Sequence, residues 1–320
     1  MISGRMLTMF WKKTLICALC LILAVLTLSA PAETVVEDEL AEDLAIEPLP
    51  IDFSAGPVPL EDNYTIQEDG VSFYEDASIS VRMERVEYNN DVYNVARVKI
   101  ADASQLRTAL SSSYKLGQKS MRIDRISTMA KNSNAIVAIG GDYFYNESRG
   151  IVVRQGETLR KTFKNKNFKT DLLVIDGNGD FHIIRNQDAE ELKKWTQSEA
   201  GAPNVFDFGP ALIIDGLMQE MPKTYSYDIR GREPRCGIGQ IGPLEYLLVV
   251  VDGRRANSDG TTCAVLAQFM LEQGCIQAYN LDGGNSALMV FHNENYSNKT
   301  VKAERSVSDI IYFATAIRTE

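Results

Sequence analysis

Apolar and polar residues alternate along much of the chain, and this pattern predicts strands more often than helices. Residues 78–88 alternate regularly, as a half-buried strand does. The same pattern returns over residues 92–100 after Asn89-Asn90-Asp91, which predicts a hairpin. Further strands are predicted over 135–139, 151–155, 171–176, 180–184, 206–217, 235–240, 244–251, 275–281, 287–291 and 309–314.

A smaller number of segments show helical patterning. They are 102–111, 122–132, 188–195 and 261–272, the first capped by Asp102 or Ser104. Because strands outnumber helices and hairpins dominate, the predicted class is α+β, with mostly antiparallel or mixed sheets and a few packed helices. No composition break or repeat follows Tyr64, so residues 64–320 are predicted to form a single globular domain.

Residues 1–32 have the composition of a targeting segment. The uncharged apolar run 14–31 follows a basic start (Arg5, Lys12 and Lys13). The small residues at the end of this run suit cleavage by signal peptidase after Ala32. A signal peptide is therefore predicted. An uncleaved membrane anchor stays open, because the run of 18 residues is at the lower limit for a spanning helix. Both alternatives predict an exported protein, extracellular or at the cell surface, that meets the membrane only through this segment.

Residues 33–63 are acidic and contain several prolines, which predicts a disordered linker. Residues 33–81 hold 14 Asp and Glu and no Lys or Arg, while the whole chain carries −10. Removing this stretch and the basic start leaves a net charge of +1 over residues 82–320. A nearly neutral domain argues against a general nucleic-acid surface, so no nucleic-acid partner is expected.

The few histidines and cysteines further limit the types of catalytic or metal site that the chain can form. His182 and His292 are the only histidines, which argues against histidine-rich zinc sites and against a Ser-His-Asp mechanism. Three cysteines follow the predicted signal, and they are interpreted as small buried residues: Cys236, Cys263 and Cys275.

Three carboxylates stand beside glycine at the ends of predicted strands: Asp142, Asp252 and Asp282. Arginines lie near similar turns: Arg235 and Arg254, with Arg232 and Arg305 as further candidates. Arginine binds phosphate oxygens in bidentate fashion. A carboxylate can bind sugar hydroxyls, act as a base or nucleophile, or stabilise an oxocarbenium ion. Together these residues predict a site for an anionic, sugar-like ligand.

The stretch 282–286, Asp-Gly-Gly-Asn-Ser, joins two of the predicted buried strands. Its glycines let backbone N–H groups approach a ligand closely and form an anion-binding concavity. An ordinary Asp-Gly hairpin turn is the alternative, and Ser286 then bonds the backbone of its own turn.

Six motifs lie in order along the chain: Gly141-Asp142-Tyr143-Phe144, Phe208–Leu212, Arg235–Gly239, Val251–Arg254, Asn280–Ser286 and Arg305–Val307. Together they resemble the phosphodiester glycosidase family, over roughly residues 64–313. The resemblance implies hydrolysis of a sugar-1-phosphodiester of the N-acetylglucosamine type at its glycosidic side. The implied products are free sugar and a phosphomonoester, and the predicted substrate is a sugar phosphate in a cell-surface or extracellular glycopolymer.

The predicted catalytic residues are Asp282, Asp252 and Asp142. Predicted substrate or phosphate contacts come from Gly141, Arg235, Arg254, Gly283, Gly284, Ser286 and Arg305. Among these, the resemblance implies that Arg235 and Arg254 neutralise the departing phosphate. No cofactor is expected; Ca²⁺ or Mg²⁺ held by the aspartates is the alternative, and it implies a metal-dependent phosphodiesterase.

Three positions depart from the family pattern. Gly140 stands where asparagine is common, Asn285 where glycine is common, and Cys236 where threonine is common. These departures leave the fold prediction intact, and the altered Gly140 position motivates a second hypothesis: a non-catalytic envelope or glycan-binding module with the same fold.

Overall fold

Antiparallel strands build most of the described structure. The computed structural model describes residues 46–67, 70–111, 124–145, 150–162, 170–300 and 302–318. The predicted signal or anchor lies outside these ranges, as does the predicted linker up to residue 45. No helix in the described ranges is long and apolar enough to cross a membrane. The α+β class with mostly antiparallel sheets is confirmed.

The strands of the described residues are, in chain order, β1 (Tyr64–Thr65), β2 (Ser72–Glu75), β3 (Ile79–Tyr88), β4 (Asp91–Ile100), β5 (Leu106–Leu110), β6 (Asp124–Arg125), β7 (Val137–Gly140), β8 (Gly150–Arg154), β9 (Glu157–Thr162), β10 (Leu172–Ile175), β11 (Phe181–Ile184), β12 (Asn204–Phe206), β13 (Ala211–Ile214), β14 (Leu217–Met218), β15 (Arg235–Gly242), β16 (Glu245–Val251), β17 (Gln277–Leu281), β18 (Met289–Phe291), β19 (Glu294–Asn295), β20 (Ser306–Val307) and β21 (Asp309–Phe313). The α-helices are α1 (Ile126–Asn132), α2 (Ala189–Thr196) and α3 (Cys263–Glu272).

Most of these strands belong to three sheets. The first sheet has the order β1-β2-β3-β4-β16-β15-β17-β13-β14, the second β11-β10-β12-β8-β9, and the third β19-β18-β7-β21-β5. Strands β20 and β6 form a separate pair. The predicted hairpin between β3 and β4 is confirmed, and Asn89 and Asn90 take φ values of 50° and 63°. A two-residue hairpin turn of type I′ needs such positive φ angles.

The three sheets share one apolar core because each turns an apolar face towards the other two. Ile238 comes from the first sheet, Leu173 from the second, and Ile139 and Ile311 from the third. Each α-helix packs on the outer side of one sheet: α3 on the first, α2 on the second and α1 on the third. The three sheets therefore enclose one apolar interior.

The helix predicted over 102–111 is wrong. Asp102 caps a single 3₁₀ turn, Ala103–Gln105, and the chain then continues as strand β5. Strand β5 pairs with β21 along its whole length. The capping signal was genuine, but tertiary strand pairing outweighs helix propensity in so short a segment.

The single strand predicted over 206–217 is also wrong. Strand β12 belongs to the second sheet and β13 to the first, and the chain passes between them through a segment with a cis Gly209–Pro210 peptide bond. Both strands are buried, so the apolar pattern runs on without a break. The predicted hairpin turn at 215–216 joins β13 to β14.

Residues 46–60 form an extended segment on the domain, called here the N-terminal strap. Arg107 is buried and donates to the strap carbonyls of Pro50, Asp52 and Ser54 at 2.8, 3.0 and 3.1 Å. Leu49 is only 5% exposed and packs in the core around α1. The segment predicted as a disordered linker up to residue 63 therefore contains ordered residues from position 46 onwards.

A chain that starts at residue 64 should be less stable than one that starts at residue 46. Loss of the strap removes three carbonyl acceptors of Arg107 and exposes the Leu49 pocket, at an expected cost of about 2–5 kcal/mol. Urea unfolding of the two chains measures the difference, with Arg107→Met in the longer chain as the control for the arginine. Equal stability of the two chains would contradict a structural role for the strap.

Candidate functional site

Strand ends from all three sheets converge on the 282–286 turn and its surroundings. Asp282 directly follows β17 of the first sheet, and Asp142 follows β7 of the third. Arg154 ends β8 of the second sheet, and Asp309 begins β21 of the third. The N–H of Asp282 donates to the carbonyl of Gly141 at 3.1 Å, which joins the first and third sheets at this point.

Asp282 has the chemistry of a reactive carboxyl group. Its side chain is partly exposed, but its Oδ2 atom is buried and makes no hydrogen bond to any described residue. Burial raises the pKa of Asp282 to about 7, and the negative charge of Asp142 adds to the rise. The Ser286 hydroxyl, the Arg305 cation and the Gly283 amide oppose it. A carboxyl group with a pKa near neutrality can exchange a proton at physiological pH.

Ser286 lies beside this carboxyl group. Its Oγ atom is buried and also makes no hydrogen bond of normal geometry within the described residues, although its position still lowers the pKa of Asp282. Two neighbouring buried polar atoms without partners are rare in folded proteins. The pair therefore marks a place where a polar ligand group could be bound.

The two glycines of the turn have different constraints: close packing at Gly283 and a positive φ angle at Gly284. A Cβ on Gly283 would lie 2.6 Å from the carbonyl oxygen of Pro234, and Gly284 has a φ of 58°. The Gly284 N–H donates to the same carbonyl at 2.8 Å. The turn is not a hairpin, because β17 and β18 belong to different sheets. The Gly284 amide, predicted to contact substrate, is thus used within the protein.

Arg305 supplies positive charge to Asp282. It is half-buried, its guanidinium group lies 5.2 Å from the ring centre of Tyr143, and its Nη2 donates to the Tyr143 hydroxyl at 3.3 Å. Its positive charge lowers the pKa of Asp282. Arg305 therefore affects Asp282 through its charge, while its side chain contacts Tyr143.

Asp142 belongs to a buried ionic network rather than to the open side of the site. Its Oδ2 accepts hydrogen bonds from Arg154 Nη2 at 3.1 Å and from the Asp207 N–H at 2.9 Å. Arg154 Nε donates to Asp309 Oδ2 at 2.6 Å. Arg154 and Asp309 are both fully buried. Burial raises the pKa of Asp309 to about 6, against the opposing charge of Arg154.

Gly141 makes this network possible. A Cβ at this position would lie 2.5–2.7 Å from the carboxylate of Asp309, so any larger residue would collide with it. The Gly141 N–H donates to the backbone carbonyl of Asp309 at 3.1 Å. The role predicted for Gly141 was a ligand contact; the structure shows a packing role next to the site.

Asp252 is buried and has its hydrogen bonds satisfied by protein groups. It accepts from Asn94 Nδ2 at 2.8 Å and from the backbone and side chain of Asn298 at 3.1 and 2.6 Å. Two residues on, Thr300 donates to the Gly284 carbonyl at 3.3 Å. Asp252 therefore fixes a loop that contacts the 282–286 turn.

The two arginines predicted to bind phosphate differ in their placement. Arg254 lies at the turn: its Nη1 donates to Asn285 Oδ1 at 2.7 Å, and it forms an ion pair with Glu233 at 2.6 Å. Arg235 is buried and donates to the carbonyls of Thr261 and Gly231 at 3.0 and 2.9 Å. Arg232 pairs with Asp91 at 2.8 Å. Of these three, only Arg254 has a side chain that contacts the turn.

The positions that depart from the family pattern surround Asp282. Cys236 is buried, its Sγ lies 3.7 Å from the Gly140 carbonyl, and burial raises its pKa far above the usual range. The described cysteines Cys236, Cys263 and Cys275 are all free and buried, which confirms their interpretation as small core residues.

Arg154 and Asp309 were not predicted as site residues. Each is a charged residue at one end of an otherwise apolar strand, Gly-Ile-Val-Val-Arg and Asp-Ile-Ile-Tyr-Phe. A buried charge requires a partner, so this signal was available in the sequence. What the sequence does not contain is the crossing of sheets that makes these two residues partners.

Replacing Asp252 by asparagine tests whether it acts in chemistry or in structure. The new amide N–H would face donors from Asn94 and Asn298, so we expect the free energy of unfolding to fall by about 1–3 kcal/mol. Turnover should fall far less than it does for an Asp282 substitution. Loss of turnover at unchanged stability would instead assign Asp252 to the chemistry.

The domain has three sheets, and carboxylates and an arginine lie where their strand ends converge. This arrangement can be compared with that of known protein families. The family model described as phosphodiester glycosidase matches residues 133–314. This chain belongs to the phosphodiester glycosidase family.

One curated relative is similar to this chain in sequence, and solved structures are similar to it in fold. The SPbeta prophage-derived uncharacterized protein YomE of Bacillus subtilis (strain 168) is 28% identical over 193 residues, 59% of this chain and 29% of that protein. This chain therefore spans less than a third of that relative's length. The catalytic domain of zebrafish N-acetylglucosamine-1-phosphodiester alpha-N-acetylglucosaminidase, auto-inhibited by its pro-peptide, superposes with a TM-score of 0.60 at 15% identity, over 81% of this chain and 87% of that one. A hypothetical protein from Synechocystis gives 0.51 at 17% identity, over 76% and 63%.

Proposed function

We propose that this chain is an exported hydrolase that cleaves a sugar-1-phosphodiester at its glycosidic side. The sugar is of the N-acetylglucosamine type, and the substrate belongs to a cell-surface or extracellular glycopolymer. The observation that carries the proposal is Asp282: a carboxyl group with a buried, unpartnered oxygen, in the same turn as Ser286, whose pKa burial raises and the charge of Arg305 lowers. Family membership supplies the reaction type.

The bond between the sugar C1 and the phosphate oxygen breaks in this reaction. The electron pair leaves with the phosphate, which is a good leaving group and needs little protonation. Ionised Asp282 either accepts a proton from the attacking water or bonds to C1 and is then released by water; both routes are open to a carboxylate near the anomeric carbon. Water supplies the hydroxyl of the free sugar, and the phosphomonoester carries the negative charge away.

Positive charge near the turn suits the phosphate. The charge of Arg305 lowers the pKa of Asp282, and Arg254 reaches the turn through Asn285. Arginines that face the developing charge stabilise it electrostatically. The buried Arg235 does not serve this purpose from its present position, since its donors contact backbone carbonyls.

Two observations support the binding-module alternative. Arg254 is neutralised by Glu233, and the Gly284 amide is occupied by Pro234, so two of the predicted ligand contacts are used within the protein. Under this hypothesis, Asp282→Asn leaves glycan binding nearly intact and the wild type shows no turnover.

A substrate panel tests the proposal. Purified residues 33–320 are incubated with UDP-sugars and simple sugar-1-phosphodiesters, with and without EDTA, and free sugar and new phosphomonoester are measured. Equal amounts of both products in the presence of EDTA are expected. Activity that EDTA abolishes and a divalent ion restores would assign the aspartates to metal binding. Glycan binding without products would favour the binding module.

A further inference from the structure

We propose that Arg154 and Asp309 are positioning residues for Asp282, acting together through the Gly141–Asp142 peptide. The inference rests on the proposed role of Asp282 and concerns two residues that no motif of the family resemblance includes. Neither residue reaches the open side of the site: both side chains are fully buried.

Arg154 is held rigidly between two carboxylates and an aromatic ring. Its Nε and Nη2 atoms bind Asp309 and Asp142, and its Nη1 donates to the backbone carbonyls of Val153 and Val205. Its guanidinium carbon lies 3.8 Å from the ring centre of Phe206. A cation with this many fixed partners has one orientation, so both carboxylates are fixed with it.

Asp309 connects this fixed network to the adjacent backbone by hydrogen bonds. Its Oδ1 accepts the Asp142 N–H at 2.9 Å, and its backbone carbonyl accepts the Gly141 N–H at 3.1 Å. The next link is the Gly141 carbonyl, which accepts the N–H of Asp282 at 3.1 Å. The Gly141–Asp142 peptide therefore binds Asp282 through its carbonyl and Asp309 through its N–H. Asp309 is in turn bound by Arg154.

The charge of Arg154 is needed to keep Asp309 ionised as a hydrogen-bond acceptor. Burial raises the pKa of Asp309, while the charge of Arg154 opposes the rise and that of Asp142 adds to it. Without the arginine, Asp142 and Asp309 would be two buried carboxylates with no cation between them, and one would take up a proton. A protonated Asp309 would offer a weaker acceptor to the Asp142 N–H, and the Gly141 carbonyl would lose its fixed position.

Amide hydrogen exchange tests the inference without requiring turnover. In residues 33–320 carrying Asp309→Asn, we expect the Asp282 amide to exchange about tenfold faster than in the wild type. The matched control is the Asn280 amide, which lies two residues earlier, in β17, and donates to the Pro210 carbonyl at 3.1 Å rather than to the network. Its exchange should change by less than about twofold. Equal acceleration of both amides, or of neither, would overturn the inference.

Arg154→Lys provides a second variant if the asparagine variant does not fold. It keeps the charge but not the forked geometry, so the Asp282 amide should again lose protection relative to that of Asn280. Where the wild type turns over substrate, both variants should lower kcat by about 10–100-fold at nearly constant KM, because the carboxyl is misplaced rather than removed. An inactive wild type would count against the proposed function alone, since the exchange result still decides the positioning role.

Discussion

Asp282→Asn is expected to abolish turnover, with kcat reduced by about 10³-fold or more. The substitution keeps the size of the side chain but removes its charge, and with it the ability to act as base or nucleophile at the sugar carbon. Steady-state release of free sugar from the best substrate measures the effect. Asp259→Asn, a change of the same chemistry at an exposed position in a nearby loop, is the matched control and should retain full rate. Full activity of Asp282→Asn would remove this residue from the mechanism.

The same substitution should make the protein more stable at neutral and alkaline pH. The pKa of Asp282 is raised from 3.8 to about 7 in the folded state, so its ionisation opposes folding. This cost is absent below pH 3.8, grows as the pH rises towards 7 and is constant above it. After allowance for partial solvent exposure, asparagine should add about 1–3 kcal/mol at pH 8 and nothing near pH 3.5. Urea unfolding at the two pH values checks the sign; a loss of stability at pH 8 would contradict it.

Arg154→Met is expected to have the largest effect on stability, a loss of about 3–5 kcal/mol. Removal of the cation leaves Asp142 and Asp309 buried together without compensation, and the two backbone carbonyls that Arg154 satisfies lose their donor. Chemical unfolding at pH 7 measures the loss.

A surface ion pair provides the comparison for this variant. Arg82 and Glu84 lie 3.0 Å apart with exposed side-chain fractions of 45% and 23%, and Arg82→Met should cost less than about 1 kcal/mol. Adding Asp309→Asn to Arg154→Met should restore part of the lost stability, because one of the two uncompensated charges is removed. A small loss in Arg154→Met, similar to that in Arg82→Met, would contradict the structural role of the network.

The fold class was predictable because its signals are local. The alternation in β3 and β4 and the paired asparagines between them define a hairpin without reference to the rest of the chain. Helix α3 likewise has its Thr262 cap and its Gly274 stop within its own sequence. Where tertiary pairing decided the outcome, as for β5 and for the passage from β12 to β13, local patterns gave the wrong answer.

The site was predictable in part for the same reason. A carboxylate beside glycine at a strand end marks Asp282 and Asp142, and the structure places both at the junction of the sheets. The sequence pattern does not show which carboxylate is open to a ligand, because that depends on its hydrogen-bond partners. Asn94 and Asn298 donate to Asp252, whereas Asp282 Oδ2 has no hydrogen-bond partner among the described residues. Arg235 shows the converse, since its motif predicted a phosphate contact but its side chain binds backbone carbonyls.

Hydrolysis in ¹⁸O-labelled water tests the central claim most directly. The wild-type chain is incubated with the best sugar-1-phosphodiester of the panel, and the masses of the products are measured by mass spectrometry. Cleavage at the glycosidic side predicts one ¹⁸O atom in the free sugar, at the C1 hydroxyl, and none in the phosphomonoester. Label in the phosphate instead would show that the phosphorus–oxygen bond breaks, and it would contradict the glycosidase account.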